Sequence, residues 1–194
     1  MNYVTIDGIV RKLWASDAQA YGDHLQRLDE ISRRNRFGGT VADTFIRGHA
    51  ERAFEPENVL YGFLADGVLR GVAELRPFSP NAPQAEAAFS IERPFQSHGV
   101  GTDLLERTLL AARNRGIKFL HMACLSDNER MQQLARKFDA ELTFDFGSVV
   151  GEVSAPRPTP LSVMREWVAD SHGFATAMLD VQSRLLAPPQ AARG

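Results

Sequence analysis

With 194 residues, 44% of them hydrophobic, the chain can bury one substantial core, and a single domain is the default expectation. Its formal net charge of −2 gives no electrostatic footing for nucleic acid or an anionic membrane, and no stretch approaches the ~20 apolar residues of a spanning helix. The single Cys124 excludes an internal disulfide and Met1-Asn2-Tyr3-Val4-Thr5 lacks the basic and apolar regions of a secretion signal, so the expected compartment is a reducing cytoplasm.

In chain order, Val4-Thr5-Ile6 and Val10 to Leu13 suggest an opening strand or hairpin around Asp7-Gly8. Ser16 and Asp17 read as a cap for a helix over 18–31. Gly38-Gly39 breaks the chain, and Thr40 is placed to cap a second helix to about 54. Residues 58–65 and 68–75 flank Asp66-Gly67, a strong two-residue hairpin signal. Pro77, Pro80 and Pro83 mark a loop, after which 85–91 reads as a strand. A glycine-bearing loop follows, then a helix with Leu104, Leu105, Thr108, Leu109 and Ala112 at helical spacing, ended by Gly116. Residues 118–125 read as the next strand, and Cys124 within it as an inert core thiol. Ser126 and Glu129 have capping-box spacing before a helix that carries Met131, Leu134, Ala135 and Phe138 on one face, and 141–146 reads as a strand. Pro156, Pro158 and Pro160 form a stiff break. Beyond it Met164, Trp167, Val168, Phe174, Ala175, Met178, Leu179, Leu185 and Leu186 make an apolar stripe. That stripe either packs on its own domain or forms a dimer contact or a wall of a substrate cleft.

The most informative segment is Gln96-Ser97-His98-Gly99-Val100-Gly101-Thr102, between a strand and a long helix. Such a loop points backbone N–H groups at the spot where the positive end of the helix dipole arrives, which suits a pyrophosphate. No Lys-Ser or Lys-Thr follows the glycines, so a Walker loop is excluded; residue 104 is Leu, so a dinucleotide fingerprint lacks its third glycine. The remaining pattern, Gln-x-x-Gly-x-Gly-Thr, resembles the pyrophosphate loop of the GNAT N-acetyltransferases. Ala-Glu86-x-x-Phe89-x-Ile91 resembles that family's fourth strand, and Asn128-Glu129-Arg130-Met131 its second acetyl-CoA segment. The resemblance covers residues 58–146 well and 3–57 more loosely.

The resemblance implies an α/β (mixed α+β) GNAT fold: a central, mostly antiparallel sheet flanked by helices over 1–154, with a helical extension over 155–194. It implies acetyl-CoA as co-substrate and direct transfer of the acetyl group to a primary amine within a ternary complex. Phe89, Ser90 and Ile91 would lie along the pantetheine arm. Gln96, Ser97, His98, Gly99, Val100, Gly101 and Thr102 would hold the pyrophosphate, with Asn128 and Met131 beside the pantetheine. Asn128 also fits ordinary helix capping. His98 reads as a loop residue with a backbone role rather than as a base, and His121 as a satisfied core or cleft residue.

Transfer requires a neutral amine, and an alkylamine with a pKa near ~10.4 must first lose a proton. Glu86 is the candidate base; its alternative is a solvated residue at a strand start. Glu92 reads as structural or exposed. The tyrosine that many relatives use to protonate the departing thiolate is absent, and Phe138 comes near its place. The five His and one Cys show no metal-ligand spacing, so no metal is expected. Arg33-Arg34-Asn35-Arg36-Phe37 resembles a segment of bacterial protein-lysine acetyltransferases, which implies a protein lysine as acceptor; read as an exposed basic helix end, it leaves a small amine equally open. A non-catalytic acyl-CoA sensor is the alternative from another class.

Overall fold

The computed structural model describes residues 7–145, 147–155 and 157–171. One seven-stranded sheet runs β1-β2-β3-β4-β5-β7-β6. Its strands are β1 Ile9–Lys12, β2 Val59–Ala65, β3 Val68–Pro77, β4 Gln84–Ile91, β5 Phe119–Leu125, β6 Glu141–Asp145 and β7 Ser148–Ser154. Every neighbouring pair is antiparallel except β4 with β5. The helices are α1 Ala18–Arg27, α2 Glu30–Phe37, α3 Asp43–Arg52, α4 Val100–Asn114 and α5 Glu129–Lys137, with α6 over 160–171. The mixed, mostly antiparallel architecture expected from the sequence is the one observed.

The sheet carries a core on each face. Leu104, Leu105, Ala111 and Ala112 of α4 pack with Leu75, Ala85, Ala87, Leu120 and Met122 on one side. Tyr21, Leu25, Ile46 and Ala50 of α1 and α3 pack with Leu60, Leu69 and Val72 on the other. The Asp66-Gly67 turn has φ of 51° and 70°, the two left-handed residues that a type I′ hairpin needs. Helix α4 ends as its sequence suggests: Ile117 N–H donates to Ala112 O and Gly116 N–H to Arg113 O, with Gly116 at φ 72°.

Several expectations are corrected. The single helix over 18–31 is two helices, because Leu28 turns extended and the Asp29 carboxylate caps a new start by accepting from Ser32 N at 2.9 Å. Asp17 does not cap α1; its carboxylate takes the Arg11 guanidinium in a bidentate pair, 2.7 and 2.9 Å. Thr40 does not cap α3, which starts after Ala42 without a side-chain cap. Nor does Ser126 cap α5: Asn128 does, its side chain accepting from Met131 N at 3.2 Å. Strand β7 was not anticipated, and it inserts between β5 and β6. The first arm of the opening hairpin, Pro156 and the apolar stripe from Phe174 onward lie outside the described residues.

Helix α6 is mounted the reverse of what its apolar stripe suggests. Its polar side is buried: Glu166 accepts from Asn114 at 2.6 Å and Arg115 at 2.7 Å, and Ser162 donates to Asn114 Oδ1 at 2.6 Å. Leu161, Met164, Trp167 and Val168 face outward, Trp167 with 70% of its surface exposed. No helix among the described residues is long and apolar enough to cross a membrane.

Candidate active site

The site begins with a failure of pairing. Strands β4 and β5 share only the rungs Gln84↔Phe119, Ala85↔Leu120 and Glu86↔His121, whereas β4 stays paired with β3 out to Gly71↔Ile91. The two strands therefore part after Glu86, and the β5-side edge of residues 88–91 has no strand partner. An unpaired edge offers backbone donors and acceptors to an extended ligand, as it would to another strand.

The chain leaves β4 through a short 3-10 turn, Arg93–Phe95, and enters the glycine loop. Ser97 (φ 63°) and Gly99 (φ 89°) are both left-handed, and Gly99 is the N-cap of α4 with no side chain to cap it. The first N–H groups of a helix have no intrahelical acceptor. Here they face a cleft of ≈ 590 Å³ that also takes in the β4 edge and the start of α5. A Cβ at Gly101 would meet only Ile91 and Leu134, both at 3.5 Å, so the protein leaves that position open on the cleft side.

Most of the expected ligand contacts converge on this cleft. Phe89, Ser90, Ile91, Gln96, Ser97, Gly99, Gly101, Thr102, Asn128 and Met131 all line it. The side chains of His98 and Val100 point elsewhere, which leaves these two residues only a backbone role at the cleft. Val100 is buried in the α4 core, and His98 lies on a second cavity with Asp7, Phe63 and Arg107. The reason is the turn itself: at the head of a helix, successive side chains point about 100° apart, so only part of the loop can face one ligand.

Two cations that sequence reasoning missed join the cleft. Lys137 Nζ donates to Thr102 Oγ1 at 3.2 Å, and Arg130 donates to the Gln96 side-chain oxygen Oε1 at 2.7 Å. They sit seven residues apart on α5, a spacing that places them on one helix face and was readable in advance. Gln96 also donates to Ile91 O at 2.8 Å and to Ser32 Oγ at 3.1 Å, tying β4, the loop and α2 together.

Beneath the cleft, buried carboxylates fasten the helices to the sheet. Glu92 accepts from Arg27 and Arg70, both at 2.9 Å, and faces His24 Nδ1 at 3.3 Å; His24 Nε2 meets Ser90 Oγ at 3.0 Å. Burial pushes Glu92 up, but hydrogen bonds from His24, Arg70 and Arg27 prevail and bring its pKa down to about 2. Burial also lowers His24, against the pull of Glu92. Glu74 collects Tyr21, Arg36, His49 and Arg76. Burial would raise its pKa, yet the Arg36 guanidinium overrides this and holds the carboxyl well below the usual range. The basic α2 segment is thus only partly an exposed helix end: the Arg36 side chain is buried on Glu74, while the exposed Arg34 reaches Asp127 at 2.8 Å.

Glu86 stands at the last rung before the split, half-buried, outside the cleft lining and on the sheet face of Ser90. Phe138, near the expected tyrosine position, packs against the core. Of the three tyrosines, Tyr21 and Tyr61 are buried and Tyr3 lies outside the described residues. Among the described residues no three potential metal-binding side chains cluster.

The acetyltransferase (GNAT) family model matches residues 25–140, more than half of the chain, and the chain belongs to that family. It is an acetyltransferase by family. Among solved structures, the GNAT domain of S. lividans PAT shares 21% identity at a TM-score of 0.65, over 76% of this chain and 90% of that one. The yncA protein of Salmonella typhimurium, solved with its cofactor acetyl-CoA, aligns at 15% identity and TM-score 0.63, over 79% of this chain and 96% of its own. The PaiA N-acetyltransferase of Thermoplasma acidophilum, in complex with coenzyme A, aligns at 15% identity and TM-score 0.58, over 76% and 99%. At these identities the likeness establishes the shared fold.

Proposed function

We propose that the chain moves an acetyl group from acetyl-CoA directly to a primary amine. The observation that carries this is the convergence, in one cleft, of the unpaired β4 edge, the uncapped α4 N-terminus and the cations Lys137 and Arg130. The donor set fits coenzyme A: backbone N–H groups and two cations for a diphosphate, and a strand edge for the amide-bearing pantetheine arm. Acetyl-CoA supplies an activated acyl carbon. Glu86, at the base of the split, takes the proton of the incoming ammonium, directly or through water.

A protein lysine is the acceptor favoured by the α2 segment and by the likeness to the PAT domain. A small amine is the alternative. The missing α5 tyrosine favours a second reading, an acyl-CoA sensor without turnover. Thiol release from acetyl-CoA over a panel of amines and lysine-bearing proteins separates the two. Amine-dependent release, lost by about 10²-fold in Glu86→Gln, is the expected result and excludes the sensor; binding of acetyl-CoA with no thiol released by any amine favours the sensor.

A further inference from the structure

Away from the coenzyme cleft, a row of ionisable side chains crosses the sheet. The registers Arg76↔Glu86, Glu86↔His121, His121↔Glu152 and Glu152↔Glu141 set these residues on one face, because directly opposite residues point the same way. Helices α1 and α3 cover this face over β2 and β3 but not over β5, β7 and β6, where Ala123 and Thr143 are exposed. Past Glu86 and His121 the next residues on this face are Ala88 and Ala123, so the floor of the split is made of methyl groups.

His121 is the anomaly in the row. Its Nδ1 faces Glu152 Oε2 at 3.6 Å, and its ring lies against Phe78 with centroids 5.4 Å apart. Its Nε2 is closed off from solvent and has no hydrogen-bond partner. A buried ring nitrogen without a partner is an exception in native structures and asks for a reason. With the Nδ1 proton turned toward Glu152, Nε2 carries a free lone pair. Phe78, which stacks on the ring, is 58% exposed and sits at the start of the proline-bearing loop between β3 and β4.

We propose that His121 is a second acceptor-side base beside Glu86, and that Phe78 is the ring an incoming amine displaces to reach Nε2. This rests on the transferase reading above. The acceptor arrives as R–NH3+. One proton leaves, and the nitrogen lone pair forms the C–N bond to the acyl carbon. The C–S bond breaks with its electron pair going to sulfur, and a second proton leaves nitrogen to give the neutral amide. Of those two protons, one ends on sulfur as the free thiol and the other in water. Two proton acceptors beside the nitrogen match that stoichiometry, and Glu86 and His121 occupy one rung. The other charged groups facing the pair are Arg76 from β3, Glu152 from β7 and Glu141 from β6; Arg34 of α2 is held by Asp127, beyond the far end of β5.

The test is steady-state kinetics of the full chain with acetyl-CoA and a panel of amines (a lysine-bearing peptide, spermidine, tyramine), unmodified and as His121→Gln and His121→Ala. Both variants should lose about 10²-fold in kcat while KM for acetyl-CoA stays within about twofold. One limb of the pH–rate profile should vanish in His121→Gln, and added imidazole should restore part of the rate of His121→Ala. An active unmodified chain whose His121→Gln variant keeps its kcat and pH profile overturns the proposal and leaves the transferase reading standing. So does a slower variant with an unaltered profile and no rescue by imidazole, since that reports packing alone. If the unmodified chain binds acetyl-CoA but acetylates none of these amines, the transferase reading fails and His121 falls with it.

Discussion

The two glycines of the loop do different physical work. Gly99 holds φ 89°, where a side chain costs about 1–2 kcal/mol, so Gly99→Ala should lower the unfolding free energy by roughly that amount. Gly101 has an ordinary helical backbone, and a methyl group there would touch Ile91 and Leu134 only at ordinary contact distance while standing on the cleft side. Gly101→Ala should therefore leave the thermal midpoint in place and weaken acetyl-CoA binding, which thermal melts and calorimetry on the same sample would separate. Lys137→Ala should weaken binding by up to ~1 kcal/mol, with an effect that shrinks as salt rises. Equal losses at low and high salt would argue that Lys137 does not act through charge. The two glycines were legible because the signal was local, a pair at the mouth of a helix; Lys137 was not, since its approach to Thr102 is made in the fold. Glu74 and Glu92 were not. Most of their partners come from α1, α2 and α3, far off in sequence, and nothing in a strand's own pattern shows that its carboxylate will be buried and paired.

Among the elements, α2 is fastened by such long-range pairing, Arg36 holding it to Glu74 of β3. Glu74→Gln leaves the buried Arg36 without its countercharge and should cost about 3 kcal/mol or more in denaturant unfolding, the usual penalty for breaking a buried pair. The Glu92 cluster adds a pH dependence. Its carboxyl is depressed to about 2 in the folded chain, so the unfolded chain binds a proton first as pH falls below about 4.5, and stability declines through that window toward pH 2. His24 is lowered as well, so stability should begin to decline already below about 6.5, where the unfolded imidazole charges and the buried one does not. Melting curves against pH should show both stages, with the lower one reduced in Glu92→Gln; a flat profile between pH 7 and 3 would contradict the assignment. The split between α1 and α2 escaped the sequence because Asp29 reads as an ordinary polar position in an amphipathic run. Strand β7 escaped because Gly151 interrupts its alternation and Gly147 stands in the turn just before it. Gly151 is there for space, since a Cβ would come within 3.1–3.2 Å of Leu142 and Ala135.

Across the whole molecule, the mixed, mostly antiparallel sheet followed from the order of the segments, which the family resemblance brought together; the place of β7 in the sheet order and the β4–β5 split did not. The mounting of α6 did not, for an apolar stripe at helical spacing gives no hint that the opposite face is the buried one. Trp167→Ser should change stability by no more than about 0.5 kcal/mol, as an exposed position does. Glu166→Ala should cost about 1–3 kcal/mol by stranding Arg115 and Asn114. The reverse order would mean that α6 is held by its apolar side.

What joins these scales is a single physical idea: β4 and β5 part so that a coenzyme thioester can take the place of the missing rungs, with its diphosphate on the head of α4. Calorimetric titration of acetyl-CoA into the unmodified chain and into Gly101→Ala tests it most directly. A saturable one-to-one heat in the first, clearly weakened in the second at an unchanged melting temperature, is the predicted result. No saturable heat in the unmodified chain, or equal affinity in the two, would contradict it.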